Sequence, residues 1–255
     1  MSAEPIVLIG GFGSHWKDYR AAAQHLANVA QRRVFIANLT RLSWMVGGLT
    51  DYEVLLRRAA AAIQHALQAS GASRVIVVGH SAGGIIGRAY LGDRAWKPHH
   101  HAWHGYRHVS HLIMVGSPLQ ELSGRGYRRA SRAASWVART YPDAYYADQG
   151  VRYGVVRSRF VFGKRDGTPL ERMAWVNYRF ISGEGEQWGD GVVPTQMSTL
   201  RGAACVELEG VAHSPAWQPW FFGDEETIRS WWEPLMRSAE QAAAFPAAHV
   251  VAGAG

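Results

Sequence analysis

Residues 74–84 read RVIVVGHSAGG, an apolar run that ends in a cluster of small residues. The β-branched residues 75–78 predict a buried strand, and the segment IIGRAYL (85–91) predicts a helix. Between them stands GHSAG (79–83), the G-x-S-x-G pattern in which a strained turn exposes a serine hydroxyl at the start of a helix. The alternative is a phosphate-binding loop, but neither G-x-G-x-x-G nor G-x-x-x-x-G-K-[ST] is present in this stretch. Ser81 is therefore the candidate nucleophile.

Attack by Ser81 would require backbone donors for the oxyanion that develops. Ala82 supplies one, because an N–H group at a helix N-terminus has no intrahelical acceptor and lies at the positive end of the helix dipole. A second donor is expected in the loop after the first strand. The glycine-rich GGFGS (10–14) follows the strand-like PIVLI and makes the Phe12 N–H the expected second donor. Glycines that only close a turn are the ordinary alternative.

A base and an acid are required downstream, since serine at its free pKa is a poor nucleophile. His213 is the best base among the twelve histidines. It follows the strand-like segment CVELEGV (205–211), which would place it on a loop at the carboxyl edge of a sheet, where ligands gather in such folds. An isolated histidine is more often structural, but this position after the last strand favours a catalytic role.

Several aspartates compete for the role of the acid. Asp190 lies in the glycine-flanked turn WGDGVVP (188–194), from which a carboxylate could orient the imidazole and stabilise its protonated form. Asp166, in GKRDGTP, is the rival, although its basic neighbours are typical of a solvated turn. Asp143 and Asp148 fall in an irregular stretch and are weaker candidates.

Length and patterning indicate a single α/β domain over residues 1–238. The chain has 255 residues, 47% hydrophobic and 18% charged, enough for one sizeable core. Strand-like and helix-like segments alternate up to about residue 118, which predicts a mostly parallel sheet with helices on both faces. The predicted strands are 5–11, 33–39, 75–78, 111–118 and 204–210, and the predicted helices lie near 18–31, 50–71, 85–93 and 224–236.

The ends of two elements carry further signals. Thr50 and Glu53 have the spacing of a capping box that opens a helix, and Gly71 has the position of its C-cap. After about residue 238 the sequence is rich in alanine and glycine. The tail 239–255 is therefore expected to be poorly ordered.

Charge and composition narrow the partners and the location. A net charge of +7 favours anionic partners, but no zinc-finger, helix-turn-helix or RNA-binding signature accompanies it, so no nucleic-acid partner is expected. The sequence has no signal-peptide pattern and no run of about 18 apolar residues, which predicts a soluble, cytoplasmic protein. The single cysteine, Cys205, excludes an intramolecular disulfide and is expected to be a small buried hydrophobe.

The motifs also carry a family resemblance. The segments PIVLIGGFG, LTRLSW (39–44), VVGHSAGG, MVGSP (114–118), WGDGVVP and GVAHSP (210–215) occur in an order that resembles the lipase- and esterase-like α/β-hydrolases of bacteria, cyanobacteria and plant plastids. The resemblance implies an α/β-hydrolase fold, a triad of Ser81, Asp190 and His213, and oxyanion donation by Phe12. The first loop departs from the pattern, with Gly-Gly where many lipases have His-Gly.

The same motifs suggest residues that contact the substrate. Gly11 adjoins the oxyanion donor, His80 adjoins the nucleophile, and Trp44 ends the LTRLSW segment, so these three are assigned to substrate binding. No cofactor and no functional metal are expected.

Residues 118–178 interrupt the alternation and are expected to form a cap inserted over the site. The segment RGYRRASRAASWVARTY (125–141) has arginines at helical spacing, which predicts a basic amphipathic helix. Such a helix could lie on an anionic membrane surface or a lipid-like substrate. A cap helix with a solvated arginine face is the ordinary alternative.

A histidine-rich loop at residues 99–111 is the remaining unusual feature. His100 and His104, or His104 and His108, have the i, i+4 spacing that would let them share a metal ion on a helix. Pro98, Gly105 and the lack of a carboxylate argue against a preformed site, so adventitious metal binding is the favoured interpretation.

Two functions from different classes remain. The first is a serine ester hydrolase, a carboxylesterase or lipase, that acts on a hydrophobic carboxylic ester through an acyl-enzyme. The second is a catalytically silent α/β-hydrolase fold that binds a lipid or a partner, because a fold alone does not establish activity. The acyl chain, the alcohol, the choice of ester or thioester and the oligomeric state are not specified by the sequence.

Overall fold

Six parallel strands form the central sheet. The computed structural model describes residues 3–49, 52–122, 130–216 and 221–244. Along the chain its strands are β1 (Ile6–Ile9), β2 (Val34–Ile36), β3 (Val75–His80), β4 (Val109–Val115), β5 (Arg152–Arg159), β6 (Val161–Phe162), β7 (Trp188–Gly189) and β8 (Ala204–Glu209). The sheet has the order β2-β1-β3-β4-β5-β8, and every neighbouring pair is parallel. The short strands β6 and β7 form a separate antiparallel pair.

Helices cover both faces of this sheet. They are α1 (Arg20–Ala30), α2 (Arg41–Leu49), α3 (Glu53–Ser70), α4 (Ala82–Leu91), α5 (Ala130–Thr140), α6 (Pro169–Ser182) and α7 (Glu225–Ala244). Buried residues of α2, α3, α4 and α5 share one hydrophobic cluster, and those of α1 and α7 share another. This arrangement confirms the predicted α/β fold class with helices on both sides.

The strands explain why the sequence reads as continuous apolar runs. On β1, Val7 and Ile9 enter one cluster while Ile6 and Leu8 enter the other, because successive side chains point to opposite faces. A strand covered on both faces needs apolar residues at every position.

The interval 118–178 differs from the expected insertion. It contains β5, a central strand that pairs with β4 and β8, so a cap does not occupy the whole interval. Arginines interrupt the apolar pattern of this strand, so it was not predicted. Arg157 lies opposite Glu207 of β8 and forms a 2.7 Å ion pair with it. Charged cross-strand pairs of this kind are tolerated because β8 is at the edge of the sheet.

The helix ends agree only in part with the predictions. Gly71 ends α3 in the left-handed conformation, with φ of 67°, as predicted. The N-cap of α3 is Tyr52, whereas Thr50 lies outside the described residues. Helix α7 continues to Ala244, beyond the predicted start of the tail, and 245–255 lie outside the description.

The expected basic helix is described only over its second half. Helix α5 buries Ala133, Ala134 and Val137, and Arg139 forms an exposed 2.8 Å ion pair with Glu121. Arg125, Arg128 and Arg129 lie outside the described residues. This part of the helix fits a cap with a solvated arginine face.

Cys205 is exposed, which corrects the expectation of a buried thiol. It lies on the edge strand β8, where alternate residues face outward.

The histidine-rich loop does not form the α-helix on which an i, i+4 pair could share a metal ion. Residues 93–104 are not helical and Gly105–Arg107 form a short 3-10 helix. The described residues contain no group of three or more potential metal ligands. No described helix is long and apolar enough to cross a bilayer. The cytoplasmic location stays a prediction.

Candidate active site

Ser81 lies at the carboxyl end of β3 and is the N-cap of α4, with φ of 55° and ψ of −127°. Such a positive φ is strained for any residue with a side chain. The turn is held in place by the Ser81 N–H, which donates to the Val115 carbonyl at 2.8 Å. Gly83 packs directly against the backbone of Ile9, where no side chain would fit. These contacts give Ser81 the strand-turn-helix setting of a nucleophile elbow.

Asp190 and His213 meet in the protein interior. Asp190 Oδ2 lies 2.7 Å from His213 Nδ1, and their residues are 2% and 7% exposed. Asp190 Oδ1 accepts the N–H groups of Val192 at 2.9 Å and Val193 at 2.7 Å. The His213 N–H also donates to the Asp190 carbonyl at 2.8 Å. The carboxylate is thus fixed by its own turn while its other oxygen faces the imidazole.

Gly116, directly after β4, makes room for this pair. Its φ is 55°, and a Cβ at this position would lie 2.9 Å from Asp190 Oδ2 and 3.3 Å from His213 Nδ1. Only glycine combines this backbone conformation with such a close approach at low cost. The MVGSP motif contains this residue, but its role follows from contacts that the sequence does not reveal.

The Asp190 turn is also anchored from helix α6. Asn177 Nδ2 donates to the Gly191 carbonyl at 2.9 Å, and the Gly191 N–H donates to Tyr178 Oη at 2.9 Å. Tyr178 is fully buried, and burial followed by the Asp190 charge raises the pKa of its phenol. Helix α6 therefore positions the turn that carries Asp190.

The loop after β1 lies against the nucleophile. A Cβ at Gly11 would lie 2.8 Å from Ser81 Cβ, so this loop passes the serine at van der Waals distance. Ser14 closes the turn, with its Oγ donating to the Gly11 carbonyl at 2.6 Å. Phe12, which follows Gly11, is 57% exposed, and Ala82, which follows Ser81, opens α4.

No hydrogen bond joins the Ser81 hydroxyl to the His213 ring in this structure. Within the described parts of the chain, no hydrogen bond joins Ser81 Oγ to another group. Hydrogen bonds between catalytic groups are often long without a substrate and tighten when it binds. The described geometry therefore brings together Asp190 and His213, and places Ser81 at the same edge of the sheet.

His80 and Trp44 occupy different surroundings. The His80 ring bonds to Tyr19 and to the His213 carbonyl, and its centroid lies 4.7 Å from that of His213. Burial, followed by the nearby His213 charge, lowers the pKa of His80 to about 3. Trp44 is buried and touches Phe12 edge to face, with ring centroids 5.6 Å apart. Their assignment to substrate binding stays a prediction.

An apolar cavity of about 290 Å³ lies beside the His80 and His213 rings. Leu8, Val78 and Val115 of the sheet form part of its wall, together with residues of α1 and α7. Ser81 is not among its lining residues. The cavity thus adjoins His213 rather than Ser81.

The other candidate acids lie elsewhere. Asp166 is in an exposed turn before α6. Asp143 forms an ion pair with Arg201, and Asp148 is exposed in a short 3-10 helix. Of the four aspartates, Asp190 is the one that contacts His213.

Comparison with known proteins agrees with this architecture. The family model described as "Alpha/beta hydrolase family" matches residues 6–255. The chain belongs to the alpha/beta hydrolase family. None of the curated proteins compared with this alpha/beta hydrolase matches it.

Several solved structures resemble this alpha/beta hydrolase. The apo form of Thermogutta terrifontis esterase 2 is 13% identical, with 96% of this chain and 85% of that chain covered and a TM-score of 0.46. Its propionate-bound form is 14% identical, covers 100% and 87% of the two chains, and has a TM-score of 0.46. The enzyme phosphonylated by sarin is 12% identical, with 96% and 85% covered and a TM-score of 0.48.

Proposed function

We propose that this protein is a serine ester hydrolase, a carboxylesterase or lipase, and that it belongs with the bacterial, cyanobacterial and plastid members its motifs resemble. The observation that carries the proposal is the 2.7 Å contact between Asp190 Oδ2 and His213 Nδ1. It lies at the sheet edge where Ser81 occupies a strained strand-to-helix turn. Membership in the alpha/beta hydrolase family supports hydrolytic chemistry for this constellation.

The proposed reaction divides the work among these residues. His213 Nε2 accepts the Ser81 proton as Oγ attacks the ester carbonyl, and Asp190 keeps Nδ1 protonated and stabilises the imidazolium. The N–H groups of Phe12 and Ala82 bind the oxyanion. His213 then protonates the leaving alcohol, and a water molecule repeats the sequence on the acyl-enzyme to release the acid. No step requires a cofactor, and a thioester would follow the same course.

Exposed apolar side chains support a hydrophobic ester as the substrate. We call residues 10–14, the loop after β1 that carries Phe12, the oxyanion loop. Phe12 is 57% exposed, and Leu42 and Met45 on α2 are 62% and 64% exposed. Phe12 and α2 are linked through the contact between Phe12 and Trp44. Large exposed apolar side chains clustered beside a site are typical of surfaces that bind apolar ligands.

Hydrolysis of p-nitrophenyl esters from acetate to palmitate tests the proposal. We expect turnover, with a short-chain optimum for an esterase and a long-chain optimum for a lipase. A fluorophosphonate probe should label the wild type and not a folded Ser81→Ala variant, because only an activated serine reacts. A folded wild type that neither turns over any ester nor takes the label would instead be a silent lipid- or partner-binding protein.

The triad itself is tested by combining substitutions. Ser81→Ala and His213→Ala should each lower kcat by roughly 10⁴- to 10⁶-fold, and the double variant should lose little more, because triad members act as a unit. Losses that multiply in the double variant would show that the two residues act independently.

An anionic membrane surface is a further proposed partner. The net charge of +7 supports it, and the arginine-bearing outer face of α5 is one place where lipid head groups could bind. Sedimentation with phosphatidylglycerol vesicles should deplete the protein at low salt, whereas phosphatidylcholine vesicles should not. Equal recovery with both lipids would leave the arginine face as an ordinary solvated surface.

A further inference from the structure

We infer that Tyr19 and His80 are positioning residues that tie the oxyanion loop to the segment carrying the base. They link Gly11 and His213 through one chain of hydrogen bonds. The inference rests on the proposed function, because it assigns the two residues a purpose in ester hydrolysis. Neither side chain is given a contact with the substrate.

The direction of every hydrogen bond in this chain can be worked out. His80 Nε2 lies 3.0 Å from the His213 carbonyl, which can only accept, so Nε2 carries the ring proton. His80 Nδ1 is then an acceptor and receives the Tyr19 hydroxyl at 2.8 Å. The Tyr19 oxygen in turn accepts the Gly11 N–H at 2.7 Å. Each group has a single compatible role, so the chain runs from the Gly11 N–H to the His213 carbonyl.

This chain connects the three parts of the site. Gly11 precedes the expected oxyanion donor Phe12, His80 precedes the nucleophile Ser81, and the last acceptor is the backbone of the base itself. Tyr19 ends a short 3-10 helix, Trp16–Tyr19, that follows the oxyanion loop and is fixed by a capping box between His15 and Asp18. The two middle members of this hydrogen-bond chain are therefore anchored in secondary structure, Tyr19 in the 3-10 helix and His80 at the end of β3.

His80 is suited to a fixed role because it stays neutral. Its neutral ring is held by burial, which lowers its pKa to about 3, with the His213 charge as the next cause. A protonated ring would place a donor at Nδ1, toward the Tyr19 hydroxyl, and would force that hydroxyl to turn away. A neutral ring keeps one donor and one acceptor across the pH range in which a serine hydrolase works.

Positioning of this kind matters because oxyanion donors act over a narrow range of distances. Donors must lie about 2.7–3.1 Å from the oxyanion, and loss of one donor costs roughly 10²- to 10³-fold in kcat. A displacement of about 1 Å can cost roughly 10²-fold even when no contacting group is removed. Loss of the Tyr19 hydroxyl would release the Gly11 N–H and let the loop move.

The experiment compares Tyr19→Phe with Tyr146→Phe. Tyr146 is a matched control, because its hydroxyl also accepts a backbone N–H, from Asp93, and donates to a side chain, the Asp93 carboxylate. We expect Tyr19→Phe to lower kcat by roughly 10- to 100-fold with KM nearly unchanged, as for an interaction used in the transition state. Tyr146→Phe should lower the Tm to a similar extent but keep kcat.

Variants of His80 test its two hydrogen bonds separately, the one from Tyr19 and the one to the His213 carbonyl. In His80→Asn the new amide oxygen can replace Nδ1 as the acceptor for Tyr19, and in His80→Gln the new amide nitrogen can replace Nε2 as the donor to His213. We therefore expect His80→Asn and His80→Gln each to retain more kcat than His80→Ala at equal thermal stability. Equal kcat for all three variants, or a kcat of Tyr19→Phe no lower than that of Tyr146→Phe, would overturn the positioning role.

Amide hydrogen exchange keeps this test apart from that of the proposed function. The Gly11 N–H should exchange slowly in the wild type and in Tyr146→Phe, and faster in Tyr19→Phe. If the wild type hydrolyses no ester and takes no fluorophosphonate label, the proposed function fails, while exchange at Gly11 still decides whether the chain holds the loop. Unchanged exchange in Tyr19→Phe would refute the hydrogen-bond chain in either case.

Discussion

The two carboxylate oxygens of Asp190 have different hydrogen-bond partners. Oδ1 accepts two backbone N–H groups of its own turn, and Oδ2 faces His213. Asp190→Asn preserves the shape but presents an amide to the imidazole, which favours the wrong tautomer. We expect kcat on one ester to fall by as much as roughly 10⁴-fold, with the fold intact by circular dichroism.

The matched control for this change is Asp166→Asn. Asp166 is exposed in a turn, so loss of its charge should change kcat by less than about twofold, in line with other surface substitutions. Impaired turnover in Asp166→Asn beside normal turnover in Asp190→Asn would reverse the assignment of the acid.

Gly116 gives a second prediction at the scale of a single residue. Gly116→Ala places a methyl group against Asp190 and His213 at a φ of 55°. The backbone strain should lower the free energy of unfolding by about 1–2 kcal/mol. The crowding should also displace the acid and base, so we expect kcat to fall at least about tenfold.

Gly71→Ala separates strain from crowding. Gly71 has a φ of 67°, and no atom lies within 4 Å of the position its Cβ would take. Urea unfolding should show a similar loss of stability for both variants, and only Gly116→Ala should lose kcat. Comparable kcat in the two variants would mean that Gly116 serves the backbone alone.

The sequence marks the proposed reacting groups of the site but not the residues that support them. A local turn, a chain order and a glycine-flanked acid point to Ser81, His213 and Asp190, and the structure shows the Asp190–His213 contact. Tyr19 could not, because its partner His80 is 61 residues away and nothing near Tyr19 marks it. The sequence assigns His80 to substrate binding, which stays a prediction, and gives no sign of its hydrogen bonds to Tyr19 and the His213 carbonyl. Such roles come from tertiary contacts, which one sequence does not encode locally.

Helix α6 illustrates how an element can act on the site at a distance. Thr168 caps it: Thr168 Oγ1 accepts the Glu171 N–H, and the Glu171 carboxylate accepts the Thr168 N–H. Near its C-terminal end α6 carries Tyr178, whose hydroxyl accepts the Gly191 N–H of the Asp190 turn. Thr168→Ala should lower the free energy of unfolding by about 1 kcal/mol and leave kcat unchanged.

Tyr178→Phe acts on the other end of this relationship. It leaves the buried Gly191 N–H without its acceptor, which should cost about 1–3 kcal/mol of stability. Because Gly191 follows Asp190, we also expect a loss of kcat that Thr168→Ala does not show. Urea unfolding and ester turnover on the same samples make the comparison, and a shared effect on kcat would mean that only the stability of α6 matters.

Prediction of the elements succeeded for the strands buried on both faces and also for the half-exposed edge strand β8. Strands β1, β3 and β4 are apolar at nearly every position because helices cover both faces, and this made them visible. Strand β5 was missed, since Arg157 and Arg159 near the sheet edge pair with Glu207 and Glu209 and interrupt the apolar run. Helix α6 was missed with it, although TPLE (168–171) carries a cap, a first-turn proline and a glutamate.

At the scale of the whole molecule, stability should depend on pH through buried neutral histidines. Burial lowers the pKa of His111 on β4 from 6.5 to about 4, with Glu4 opposing and Arg152, Arg32 and Arg74 adding to the decrease. Above pH 6.5 this histidine is neutral in both folded and unfolded states and has no effect. Below pH 6.5 this histidine binds a proton in the unfolded state but stays neutral in the folded state. The free energy of unfolding therefore falls as the pH is lowered to about 4.

His111→Gln measures this contribution. The variant should lose less stability than the wild type between pH 6.5 and pH 4, by at most about 3 kcal/mol in urea unfolding. His108→Gln, at an exposed position directly before β4, should keep the wild-type slope. Identical slopes for all three proteins would show that His111 is not the titrating group.

The position of β8 at the end of the sheet bears on self-association. No further strand of the described chain follows it, so its outer backbone donors and acceptors could pair with a strand from another molecule. Glu207 and Glu209 place carboxylates along this rim, and an incoming strand would have to strip water from them. The glutamates that pair with the arginines of β5 thus act as gatekeepers, and apolar residues in place of Glu207 and Glu209 would turn the rim into a template for aggregation.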